Sequence, residues 1–182
     1  MIEISFLQMF IFLTVVCILV RYLVNRSLNQ VDLKRELQLI LVYICIVVIS
    51  RMVYFPLHLK EGHIAPLLFD ASRIVPFRTN FQPFVFTWER YDGWKINIIG
   101  NITMFIPVGI VWPVCFKQLN NVWKVTLAGF IYTLLIEISQ LPFYDRCTDV
   151  DDLILNTTGV FIGAVIYFAI VSIIKLFKKK VN

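Results

Sequence analysis

Polar and acidic side chains at helical spacing lie at the ends of long apolar runs in this chain. Three pairs of them are separated by three or four positions, which places both members on one face of a helix. The pairs are Asn97 with Asn101, Glu137 with Gln140, and Asp152 with Asn156. Polar groups in or beside hydrocarbon are costly, so their presence there indicates a functional site.

The chemistry of such a site would be carried by carboxylates and amides. Glu137 could serve as a general acid or base, with Asp152 and Arg146 as further catalytic candidates. Asp149 and Asp152 could hold a hard divalent cation such as Mg²⁺ through their oxygens, and we expect no other cofactor. The chain contains no Gly-rich phosphate loop, H-E-x-x-H or G-x-S-x-G motif, so whether it is an enzyme stays open.

The elements that must position these residues are five apolar runs. With 59% hydrophobic residues, the chain exceeds the roughly half that is typical of soluble domains. Each run has about 20 residues or more, enough to span about 30 Å of hydrocarbon. The predicted fold is therefore all-α, a single membrane domain over residues 1–182 with five transmembrane helices and a long outer loop between helices two and three. The runs are 4–24, 37–57, 96–116, 122–143 and 153–177, and the loop is 58–94.

Basic residues at the ends of the runs predict the orientation. Lys178, Lys179 and Lys180 place the C-terminus in the cytoplasm, and five spans then place the N-terminus outside. Because the basic residues lie at the ends of the apolar runs, we interpret the net charge of +5 as a signal of membrane topology and not of nucleic-acid binding. We therefore expect the lipid bilayer as a partner and no nucleic acid, and the oligomeric state stays open.

This topology brings the polar pairs to one end of the bundle, because helices three and five begin outside and helix four ends outside. Three residues would form an outer layer, three would lie about one turn (~5 Å) deeper, and two would lie above them. The outer layer is Asn97, Gln140 and Asp152, the deeper layer is Asn101, Glu137 and Asn156, and Arg146 and Asp149 lie above. We predict a ligand-binding pocket in the outer leaflet. The alternatives are hydrogen bonding between helices and capping of the helix five dipole.

Three further features have simpler interpretations. Gly159 and Gly163 form a G-x-x-x-G pattern, which predicts close helix packing inside the bundle in preference to dimerisation. His58 and His63 are five apart and share no helical face, which disfavours a metal site. Arg51, near the end of the second run, could snorkel to the interface or form a buried ion pair.

The same polar residues carry a resemblance to the VanZ-like family. The matching stretches are N-I-I-G-N-I-T-M-F-I-P-V-G from Asn97, E-I-S-Q from Glu137, and R-C-T-D-V-D-D-L-I-L-N-T-T-G-V-F-I-G from Arg146. The resemblance covers about residues 73–167 and extends to Pro76-Phe77, but Arg73 stands where the family pattern has Asn.

The resemblance implies a small bacterial membrane protein of the cell envelope. The family takes its name from a member linked to resistance to the glycopeptide antibiotic teicoplanin. The resemblance therefore implies a role at the outer face. Together with the predicted outer pocket, it leads to the hypothesis that this pocket binds an envelope lipid or a cell-wall precursor and modulates glycopeptide susceptibility. The alternative is a membrane enzyme that acts on a lipid-linked headgroup with Glu137 as general base.

Overall fold

Five long α-helices form most of the computed structural model, which describes residues 1–28, 31–55, 62–75, 79–85 and 93–181. Each helix is long and apolar enough to cross a membrane, as the five runs predicted. The helices are α1 (Phe6–Leu28), α2 (Leu33–Tyr54), α3 (Trp94–Cys115), α4 (Val122–Gln140) and α5 (Val150–Val181).

Local capping explains why two helices begin earlier than the apolar runs. The Asp32 carboxylate accepts hydrogen bonds from the backbone N–H groups of Lys34 and Arg35, so α2 begins one turn before the run at residue 37. In the same way, Asp149 precedes α5 and accepts from the N–H of Asp151 at 2.9 Å. Hydropathy does not register such polar first turns.

The chain divides into two compact units, of which the first comprises Met1–Arg78 and Gln140–Cys147. It contains α1, α2 and an antiparallel pair of strands, β1 (Ile2–Ile4) and β2 (Leu67–Phe69), with Ile2 opposite Phe69. A 3-10 turn at Ala71–Ile74 follows β2 and is capped by Asp70. The strand pair, which the sequence analysis did not predict, ties the N-terminus to the connection after α2.

The second unit comprises Thr79–Ser139 and Thr148–Asn182. It contains α3, most of α4, α5 and a short parallel pair, β3 (Thr79–Asn80) with β4 (Thr148–Asp149). Its core includes Phe105 and Val108 of α3, Val125 of α4 and Val160 of α5, all with no exposed surface.

Glycines allow α3 and α5 to pack backbone against backbone. A Cβ atom at Gly159 would lie 2.2 Å from the carbonyl oxygen of Ile102, and one at Gly163 would lie 2.1 Å from that of Ile106. On α3, a Cβ at Gly109 would lie 2.2 Å from the carbonyl oxygen of Val160. The G-x-x-x-G pattern of α5 thus mediates packing within the chain, as predicted.

The connection between α2 and α3 is described in part. It contains β2, the 3-10 turn and β3, whereas residues 56–61, 76–78 and 86–92 lie outside the described residues. His58 and the family-like Pro76-Phe77 are among these. A single long outer loop from residue 58 to 94 therefore stays a prediction, as does the single membrane domain.

Candidate functional site

Side chains at the start of α3, the end of α4 and the start of α5 meet in the second unit. Asn101 Nδ2 donates to Asp152 Oδ1 at 2.5 Å, which joins α3 to α5. The backbone N–H of Asp149 donates to Glu137 Oε2 at 3.0 Å, which joins the start of α5 to α4. We call the group Asn101, Glu137, Asp149, Asp152 and Asn156 the polar cluster.

Glu137 is the most enclosed carboxylate of the polar cluster, with 2% of its surface exposed. Its position is fixed from two sides, because its carbonyl oxygen accepts from Thr148 Oγ1 at 2.7 Å and its side chain accepts from the N–H of Asp149. Strand β4 is thus bound to the last turns of α4. A carboxyl group buried in a candidate membrane span is costly and requires a compensating role.

Asn156 lies one helical turn after Asp152 on α5 and is also buried, with 2% exposure. Its Nδ2 donates to Oγ1 of Thr133 on α4 at 2.9 Å, and Thr133 has no exposed surface. Among the described residues, Asn156 Oδ1 has no hydrogen-bond partner. The deep end of the polar cluster therefore presents an acceptor that no described residue satisfies.

A short segment around β3 packs on the start of α5. Asn80 Nδ2 donates to Asp149 Oδ2 at 3.2 Å. The Asp151 carboxylate accepts from the N–H groups of Phe84 at 2.5 Å and Val85 at 3.0 Å. Phe84 has a φ of 63°, a left-handed conformation that is strained for a bulky residue. Asp151 is 7% exposed and stabilises this strained turn.

Three predicted site residues have different surroundings. Asn97 is exposed on the first turn of α3, where its Oδ1 accepts weakly from Asn101 at 3.4 Å. Gln140 and Arg146 belong to the first unit, where Gln140 Nε2 donates to the Val53 carbonyl at 3.3 Å and Arg146 Nε to the Tyr54 carbonyl at 3.2 Å. These two side chains satisfy carbonyls at the end of α2. Their roles as a pocket wall and a cap stay predictions.

Asp149 and Asp152, the candidate ligands of a divalent cation, make other interactions. Both oxygens of Asp149 accept hydrogen bonds, from Asn80 and Asp151, and Asp152 accepts from Asn101. Within the described ranges, no three His, Cys, Asp or Glu residues are arranged to hold a metal ion. A cation at Asp149 and Asp152 stays a prediction, and these contacts show that the two carboxylates also act as helix cap and interhelical acceptor.

Sequence reasoning missed three residues that complete the arrangement: Asn80, Thr133 and Asp151. The position of Thr133, four residues before Glu137 on α4, is a signal that could have found it, because this spacing shares one helical face. Asp151 lies in the acidic first turn of α5, where its position in the sequence indicates only an interaction with the helix dipole. Asn80 had no signal, since its contact depends on a parallel pairing 69 residues away along the chain.

Arg73, which departs from the family-like pattern, packs against an aromatic ring in the first unit. Its guanidinium carbon lies 4.1 Å from the centre of the Tyr144 ring, a cation–π geometry. Its Nη2 is buried without a hydrogen-bond partner among the described residues. The Arg73 guanidinium is thus accommodated by stacking.

Comparison with known proteins gives a family and a relative. A family model described as VanZ/LLP1 matches residues 37–174. The chain is similar to "Protein VanZ" of Enterococcus faecium, with 34% identity over 88 residues, which cover 48% of this chain and 51% of that protein. The match thus spans about half the length of this curated relative. No solved structure matches the chain significantly.

Proposed function

This chain belongs to the VanZ/LLP1 family, and we propose that its polar cluster binds the polar headgroup of an envelope lipid or cell-wall precursor and thereby modulates glycopeptide susceptibility. The matched region, residues 37–174, includes the whole polar cluster. The observation that carries the proposal is the burial of Glu137 and Asn156 at one end of three membrane-type helices, where polar groups are costly.

The chemistry of the polar cluster favours a headgroup with hydrogen-bond donors. It presents three carboxylates, and Asn156 Oδ1 is an acceptor without a partner in the described part of the chain. Carboxylates and amide oxygens accept from ammonium, amide N–H and hydroxyl groups, whereas they repel a bare phosphate. We therefore infer that an amine, an amide or a sugar hydroxyl of the ligand contacts the polar cluster.

The proposed orientation has the N-terminus and the polar cluster outside and the C-terminus in the cytoplasm. Five candidate spans require the termini to lie on opposite sides, and the lysines in the last turns of α5 favour the cytoplasm. Lys117 and Lys124, in and after the α3–α4 connection, agree with this assignment. The cluster would then face the compartment in which glycopeptides act.

Expression in a susceptible Gram-positive host tests the proposal. We expect the wild-type protein to raise the concentration of teicoplanin that inhibits growth, and Glu137→Ala to return it to that of cells with empty vector. The control is Thr126→Val on the same helix, because the Thr126 hydroxyl bonds only to Val122 of its own helix among the contacts described. Loss of the effect in this control, or its persistence in well-inserted Glu137→Ala, would contradict the proposal.

The second candidate function is an enzyme that acts on a lipid-linked headgroup with Glu137 as general base. The enclosure of this one carboxylate beside the Asp149 N–H favours it. Asp152→Asn and Glu137→Gln would then both cause a lipid-linked precursor to accumulate. Lipid pools that are identical in wild type, variants and empty vector would exclude this candidate and leave binding alone.

A further inference from the structure

A cavity of about 300 Å³ lies between α1 and α2 in the first unit. This volume is at the lower end for small-molecule pockets, so it suits a segment of an acyl chain rather than a complete lipid. No residue of the polar cluster lines it. The lining residues are Thr14, Cys17, Ile18, Arg21, Glu36, Leu39, Ile40 and Tyr43.

Two polar pairs bound the cavity along the helices. At one end Thr14 Oγ1 and the Tyr43 hydroxyl are 2.6 Å apart, and at the other Arg21 forms an ion pair with Glu36. Thr14 and Arg21 are seven residues apart on α1, which corresponds to about 10 Å. The wall between the pairs is mainly apolar, so this stretch can hold hydrocarbon.

The ion pair neutralises its own charges. Arg21 Nη2 also donates to Asn25 Oδ1 at 3.0 Å, and Asn25 Nδ2 donates to the Glu36 carboxylate at 3.1 Å. Arg21 and Glu36 therefore form a satisfied polar boundary that contributes little net charge. A charged ligand group must be recognised by residues closer to the α1–α2 turn.

Basic residues lie on both sides of that turn. Arg26 is in the last turn of α1, and Lys34 and Arg35 are in the first turn of α2. The acidic residue between them, Asp32, accepts from the N–H groups of Lys34 and Arg35 and caps α2. Positive charge is in excess here, which attracts anionic headgroups.

We propose that the α1–α2 cavity holds a segment of one acyl chain of an anionic phospholipid whose phosphate lies against Arg26 and Lys34. The mainly apolar wall of the cavity gains dispersion contacts with a hydrocarbon chain that lies against it. Arg26 and Lys34 lie beyond the Arg21–Glu36 end of the cavity. One amphiphile can therefore contact the apolar wall with its acyl chain and the basic residues with its headgroup.

Native mass spectrometry of the purified protein with phosphatidylglycerol or phosphatidylcholine tests the charge requirement. We expect phosphatidylglycerol to be retained in preference, and Arg26→Gln/Lys34→Gln to weaken its retention about 25-fold, since each basic residue near an anionic headgroup contributes about fivefold. The control is Lys178→Gln/Lys179→Gln, which removes the same charge from exposed positions near the end of α5. Equal loss in the control would overturn the proposal. A mass that corresponds to a dimer without bound lipid would overturn it as well.

Native cysteines provide a test in the unaltered chain. Cys17 lines the cavity, whereas Cys147 is exposed in another part of the first unit. We expect phosphatidylglycerol to slow alkylation of Cys17 by N-ethylmaleimide in detergent and to leave Cys147 unchanged, and phosphatidylcholine to have little effect. Leu39→Trp, which fills the cavity, should abolish the protection. Cys17 protection that is equal with both lipids, or that persists in Leu39→Trp, would overturn the proposal.

Discussion

The buried polar residues of the second unit are held by hydrogen bonds that join different helices or strands. Asn156 contacts Thr133 across α5 and α4, and Asn101 contacts Asp152 across α3 and α5. Such bonds in membrane proteins contribute on average about 0.6 kcal/mol, much less than the cost of burying the groups. A ligand that donates to Asn156 Oδ1, which has no hydrogen-bond partner in the described part of the chain, would offset part of this cost.

At the residue scale, Thr133→Val tests the deep end of the polar cluster. Removing the hydroxyl leaves Asn156 Nδ2 without its acceptor, so the free energy of unfolding should fall by about 0.6–1.7 kcal/mol. Thr126→Val, with the same change of side chain on the same helix, should have little effect because its hydroxyl bonds within α4. Equilibrium unfolding in mixed micelles measures both, and equal values for the two variants would refute the prediction.

A second residue-scale prediction concerns pH. Hydrogen bonds from the hydroxyl and the N–H of Ser72 lower the pKa of Asp70 below its ordinary value of 3.8. The folded-state pKa is thus the lower one, so the Asp70 cap stabilises the 3-10 turn above about pH 4, and this contribution is lost as pH falls through the folded value. Carboxyl NMR titration should show a higher Asp70 pKa in Ser72→Ala, and an unchanged value would contradict the assignment.

At the scale of elements, the second unit is built on the backbone contact between α3 and α5. The glycines that permit it lie one helical turn apart on α5, with Gly109 on the facing helix. This contact places the first turns of α3 and α5 side by side, so that Asn101 reaches Asp152. Helix packing and the polar cluster therefore depend on each other.

Gly159→Ala tests this packing. Its Cβ would meet the Ile102 carbonyl oxygen at 2.2 Å, so the helices must separate, at a cost of about 1–3 kcal/mol. Gly100→Ala is the matched control, since its Cβ meets nothing within 4 Å and helix propensity favours Ala. The free energy of unfolding, measured in micelles, should be equal to or higher than that of wild type for Gly100→Ala and well below it for Gly159→Ala. The reverse order would show that the glycines serve another contact.

The segment of residues 79–85 yields a further element-scale prediction. Asp151→Ala removes both oxygens that accept from the N–H groups of Phe84 and Val85, so the strained turn at Phe84 should open. Hydrogen exchange followed by mass spectrometry should then show faster exchange at residues 84 and 85, with α3 unchanged. Asp145→Ala, at an exposed position, should leave both regions as in wild type. Unchanged exchange at 84 and 85 in Asp151→Ala would show that other contacts hold the turn.

For the whole molecule, hydropathy predicted the five helices, because spanning a bilayer requires long apolar runs regardless of tertiary contacts. Helical spacing and alternation of spans predicted that Asn101, Glu137 and Asp152 belong to one end. The pairing of β1 with β2 and the role of Asp151 could not be predicted, since they depend on short strands that meet residues more than 60 positions away. Short polar segments have no periodicity that reveals such partners.

The orientation of the whole chain is the last prediction, and native Cys147 allows a direct test. This cysteine is exposed in the α4–α5 connection, whereas Cys45 and Cys115 are buried and Cys17 lies within α1. If the polar cluster faces outward, an impermeant maleimide added to intact cells should label Cys147. In a Cys147→Ser background, Asn120→Cys in the exposed α3–α4 connection should be labelled only after the membrane is permeabilised. The opposite pattern would place the polar cluster in the cytoplasm, out of reach of cell-wall precursors at the outer face, and would remove the basis for a direct effect on glycopeptides.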